Sequence, residues 1–132
     1  MSLPHRHAEE SGAASAELVL AMPVLLFVLM LVVQFGLWYH GAHVATAAAQ
    51  EGARTARAEG GTGPAGEART RDFLAELGRE VVTAPEVSAT RGPDQARVEV
   101  RGYAVAVVPG LRLPIHAVSA ASVERFRPST EP

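Results

Sequence analysis

The chain has no cysteine. That excludes disulfides and thiolate metal sites and leaves the redox compartment unreadable. Lysine is also missing, since all 12 basic residues are arginine. The arginines are scattered and the net charge is −2, so neither nucleic acid nor an anionic surface is expected as a partner. Arginine in place of lysine, together with abundant alanine, points to a compositional bias that discounts arguments from alanine alone. The most informative absence is local: between Glu17 and Glu51 no Asp, Glu, Lys or Arg occurs.

Within that gap, residues 18–39 form an apolar run of 22 residues. As a helix it spans about 33 Å, enough for a bilayer core of about 30 Å. Pro23 and Gly36 lie inside it, which membrane helices tolerate better than soluble ones. Trp38 and Tyr39 close it as interfacial aromatics do. A buried soluble helix is the bland alternative, but about 70 residues of remaining chain cannot enclose a helix apolar on every side. A cleaved secretory signal has an A-x-A site at Ala47-Ala48-Ala49. Against it stand a run longer than the usual 7–15 residues and an n-region poor in positive charge.

Before the run, Gly12 is followed by Ala13-Ala14-Ser15-Ala16 and then Glu17. A plain anchor needs no carboxylate there. A hydrophilic leader ending in Gly, four small residues, a Glu and a membrane helix resemble the processing site of type IV prepilins. Glycine lets the backbone lie extended in a protease cleft. Cutting after it would free an amine at Ala13, near enough to Glu17 for the carboxylate to neutralise it.

Further along come Glu17-Leu18-Val19-Leu20-Ala21-Met22-Pro23, then Gln34-Phe35-Gly36, then Glu51-Gly52-Ala53-Arg54. This order is similar to the TadE-like family, minor pilin-like proteins of the tight-adherence (Flp pilus) assembly system. Leu18 stands where an aromatic is commoner in that family, and Gln34 where an acidic residue is often seen. Arg6 before the run and Arg54 and Arg57 after it do not set an orientation. The resemblance implies a cytoplasmic N-terminus and an external C-terminal domain. It also implies a prepilin peptidase, other pilin-like subunits and the Tad machinery as partners, besides the lipid bilayer. An uncleaved, anchored binding or sensor module is the rival expectation.

The expected organisation is a leader over residues 1–12, a long helix over 13–59, a Gly-rich linker over 60–66 and a small extracytoplasmic domain over 67–132. The fold class is α+β, pilin-like, with the second helix packed on an antiparallel sheet of two or three strands. On the long helix Gly41, Ala45, Ala49 and Ala53 recur every four residues. Such a stripe suits close packing against neighbouring subunits, although alanine bias produces the same pattern. An amphipathic helix is expected over 67–82 with a Glu67–Arg71 pair. Strands are expected over 87–90, 97–108 and 113–126, with a turn at Arg91-Gly92-Pro93-Asp94, and a loose tail over 127–132.

No catalytic constellation emerges. His40 and His43 stand at i, i+3 without a carboxylate or cysteine to complete a metal site. His116, Ser119 and Ser122 share one expected strand without a nucleophile elbow. The glycines of 60–66 lack the lysine and Ser/Thr of a phosphate loop. Neither enzyme activity, a cofactor nor a small-molecule substrate is expected.

Overall fold

The computed structural model describes residues 6–125, with side chains from residue 10 onward. Residues 1–5 of the expected leader therefore lie outside the described residues. A single helix, α1, runs from Arg6 to Arg57. Its apolar half continues through Pro23, and the alanine-rich half has high helix propensity and no proline. Gly60, at φ +73°, takes the left-handed conformation that glycine adopts without a Cβ penalty. The Gly61 amide turns back to the Ala58 carbonyl at 2.8 Å.

The second helix, α2, spans Gly63–Phe73. The expected linker is therefore shorter than residues 60–66, because two start signals outweigh the glycines. Thr62 accepts a hydrogen bond from the Ala65 amide at 3.1 Å, and Pro64 sits in the first turn, where its missing N–H costs nothing. The helix also ends early, passing into one π-helical turn over Leu74–Gly78 rather than continuing to residue 82.

Three strands follow: β1 Val82–Arg91, β2 Gln95–Ala104 and β3 Pro114–Ser122. They form an antiparallel sheet in the order β1-β2-β3. β1 is longer than expected because Pro85 is absorbed at a register shift between Thr83 and Glu86, where Ala84 has φ +48°. A bulge on an edge strand is where a ladder tolerates proline. The 92–94 turn closes with the Gly92 amide on the Gln95 carbonyl at 2.8 Å. β2 stops at Ala104, and the apolar residues expected to extend it to 108 instead leave the sheet. β3 ends at Ser122, short of the expected Phe126, as the Val123 amide bonds the Asp94 carbonyl at 2.9 Å; Phe126 and the tail beyond it lie outside the described residues.

The buried sheet face carries Val87, Val98, Val100, Ile115 and Ala117. It lies chiefly on α1, not on α2: the core cluster joins these residues to Ala45, Ala48, Ala49 and Ala53 of α1. The second helix lies beside α1 and reaches the sheet at β1. Alanines on the helix allow the branched side chains of the strands to approach its backbone.

Candidate functional site on the first helix

The first helix changes environment twice along its length. From residue 10 to Leu29 every side chain is exposed. Leu18, Leu20, Leu25, Phe27 and Leu29 all project unpartnered. It is one helix long and apolar enough to cross a membrane, and 6% of its apolar window is buried within the chain. Gly12, Ala13 and Glu17 all lie in this bare part, helical and exposed. A Cβ placed on Gly12 would meet nothing within 4 Å.

Shading begins at Met30 and Leu31, which are half-buried, and Gln34 is completely buried. Its Nε2 donates to the Val105 carbonyl at 2.9 Å. Its Oε1 accepts from the Val107 and Val108 amides at 2.7 and 3.1 Å. One turn on, the Trp38 indole Nε1 donates to the Pro114 carbonyl at 2.9 Å. Two side chains of the charge-free run thus hold the β2–β3 connection, residues 105–113, against α1. The amide of Gln34 suits this place better than a carboxylate, because it supplies a donor as well as an acceptor.

Beyond this clamp α1 belongs to the folded domain. Gly41, Ala45, Ala49 and Ala53 are all buried, inside the chain's own core. A Cβ on Gly41 would come 2.7 Å from Ile115 Cδ1. The stripe expected to pack on neighbouring subunits is therefore occupied by this chain's own sheet and second helix. Its regular spacing is the helical repeat of one buried face, which sequence cannot assign to an internal or an external partner.

The Glu-Gly-Ala-Arg block has a structural division of labour. Glu51 faces α2 and pairs with Arg69 Nε at 3.3 Å, while also meeting Arg54 Nη1 at 3.5 Å. Gly52 lies where the two helices approach closely: a Cβ there would collide with Thr70 Oγ1 and lie 2.7 Å from the Gly66 carbonyl. Thr70, itself buried, donates to that carbonyl at 2.8 Å. Ala53 enters the core, and Arg54 points to solvent. At the helix end, Arg91 of β1 directs Nη1 to the carbonyls of Ala56, Ala58 and Gly61 at 2.6, 2.7 and 2.5 Å. A cation at a helix C-terminus satisfies orphan carbonyls and opposes the helix dipole.

The outer sheet face holds the other polar cluster. Glu99 Oε1 lies 2.6 Å from Arg101 Nη2 and 2.9 Å from His116 Nε2. These hydrogen bonds, Arg101 first, hold the Glu99 carboxyl below its ordinary pKa. His116 is thus engaged with a carboxylate across the hairpin. His43 packs edge-on against Tyr39, with ring centroids 4.4 Å apart. Among the described residues no group of three or more His, Asp or Glu side chains gathers to hold a metal ion.

Sequence reasoning singles out Gln34 as a departure from a pattern but not as a clamp, and it misses Arg91 and Glu99. The available signal for Gln34 is its isolation: it is the one amide within an otherwise apolar run. No curated protein and no solved structure matches the chain. The family model described as TadE-like protein matches residues 12–54, so the stretch of α1 from Gly12 through the Glu-Gly-Ala-Arg block is TadE-like.

Proposed function

We propose that this chain is a single-pass, pilin-like membrane protein that acts as a minor subunit or assembly factor of a Tad/Flp-type pilus. The observation that carries the reading is the junction on α1: a bare apolar half, TadE-like in sequence, fused without a break to a helix half that organises a small domain. The chemistry is association rather than catalysis. The apolar half holds the subunit in lipid, and the domain of residues 34–125 stands on one side of it, taken from the family resemblance to be the extracytoplasmic side.

Processing after Gly12 by a prepilin peptidase belongs to the same reading. Its support is the order of Gly12, small residues, Glu17 and apolar helix, and the open surroundings of Gly12. Because the site is helical here, the peptidase must unwind it locally, which glycine makes easier. Glu17 then stands one helical turn from the new amine of Ala13. The test is the intact mass of protein extracted from membranes of a pilus-competent cell. Loss of residues 1–12 is expected, and a bulky residue at Gly12 should preserve the precursor. A full-length mass for the unaltered protein would instead favour the uncleaved, anchored module.

A further inference from the structure

The structure assigns a second lipid contact, which rests on the membrane reading above. We propose that the β2–β3 loop, residues 105–113, is inserted into the headgroup–acyl boundary of the bilayer, beside α1 and on the side where the domain stands.

A bilayer core of about 30 Å needs about 20 helical residues. Residues 18–29, the fully bare part beyond Glu17, supply only about 18 Å at 1.5 Å per residue. Extending the span toward the N-terminus would draw the Glu17 carboxylate into lipid, where a charge is costly. Extending it toward the C-terminus brings in no such charge, because no Asp, Glu, Lys or Arg occurs before Glu51. About twenty residues counted from Leu18 end at Leu37. That is the level at which Gln34 and Trp38 hold residues 105, 107, 108 and 114. The loop is fixed to α1 there, so it shares that depth.

Its chemistry fits the place independently. Non-helical backbone at membrane depth must have its polar groups satisfied by protein. Gln34 meets three of them, the Leu111 amide meets the Val108 carbonyl at 3.2 Å, and the Ala104 amide meets the Leu113 carbonyl at 2.9 Å. From Ala104 to Leu111 the chain has no charge, and the Val107 side chain is exposed. Arg112, the first charge, sits over the Tyr103 ring at 4.2 Å. Arg, Tyr and Trp gathered at the level of one membrane edge are the side chains that anchor at an interface.

The lack of native cysteine permits a direct test on the full chain. Val107→Cys, Leu25→Cys and Ser88→Cys, the last on the exposed outer sheet face, are each labelled with a polarity-sensitive fluorophore. The proteins are reconstituted into vesicles of phosphatidylcholine and phosphatidylglycerol in equal parts, with and without lipids brominated near the headgroup. The Val107 label should show blue-shifted emission and lose intensity to the shallow bromines, while the Ser88 label remains water-like and unquenched. A water-like Val107 label beside a lipid-embedded Leu25 label overturns the insertion and leaves the membrane reading standing. A blue-shifted Val107 label that bromine does not quench also overturns it, since the loop is then covered by protein. A Leu25 label outside lipid overturns both readings.

Discussion

The two halves of α1 are built from the same backbone and opposite side chains. Between residues 18 and 33 the helix displays Leu, Val, Phe and Met outward on all sides; between 41 and 56 its inward face is Gly and Ala. Up to Leu29 the large residues have no protein around them, Met30 and Leu31 are half-covered, and the small ones have the most. Side-chain size therefore reports what the helix was shaped to meet. Fluid lipid accommodates bulky chains, while a sheet with its own branched residues leaves room only for methyl groups.

Bulk placed on the small half should have the largest effect. Gly52→Val would force a branched side chain into Thr70 and the Gly66 carbonyl. A loss of about 3 kcal/mol or more is expected, at the upper end of overpacking costs. Leu25→Ala, on the bare half, should leave the domain's denaturation midpoint unchanged. Urea titration of both variants in detergent, followed by near-ultraviolet circular dichroism, makes the comparison. Equal midpoints would show that α1 is not a core element of the domain.

The junction comes next. Gln34→Leu strands the Val105 carbonyl and the Val107 and Val108 amides, and burying unpaired groups costs about 1–3 kcal/mol each. Faster hydrogen exchange at the Val107 and Val108 amides is expected, with the Ala49 region protected as before. Unchanged exchange would remove the clamp. A smaller effect is expected for Arg91→Met, which keeps the stem and loses the charged donors to the α1 terminus. About 1–2 kcal/mol should be lost, with fraying confined to the last turn near Arg57. Denaturation midpoints and exchange at the Arg57 amide measure both.

The smallest effect lies away from the helix, on the outer sheet face. Glu99 has a lowered pKa when folded, so its ion pairs add stability above the ordinary carboxylate pKa. That stability is lost as pH falls through the depressed folded value. The difference between the parent chain and Glu99→Gln should therefore be present at neutral pH, close on acidification and shrink with salt. A difference that grows on acidification would contradict the geometry.

How much of this is legible in the sequence follows from the kind of signal each part leaves. The apolar run, the TadE-like order of residues 12–54 and the Arg91–Asp94 turn are local patterns that can be read directly. The alternation at Val98 and Val100 marks β2 and an antiparallel sheet, but does not decide between two strands and three. The 60–66 linker reads too long because its glycines mask the Thr62 cap and Pro64. The stripe of Gly41, Ala45, Ala49 and Ala53 is legible as a packing face, but its partner is not, since proximity to Ile115 depends on folding distant parts of the chain together. Gln34 and Arg91 act through contacts between separate elements, and Glu99 does so toward His116, so no spacing announces those contacts.

The continuity of α1 has a mechanical consequence. Its 52 residues form a rod about 78 Å long with no hinge between lipid and domain. Membrane helices tilt by about 20° on average. Such a tilt would carry the Arg57 end about 12 Å sideways relative to Gln34. The hairpin turn at residues 92–94 travels with it, because Arg91 ties that end of the sheet to the helix terminus. The domain therefore has no heading of its own: whatever leans the span steers the far end, and a sideways pull on the far end becomes torque within the bilayer.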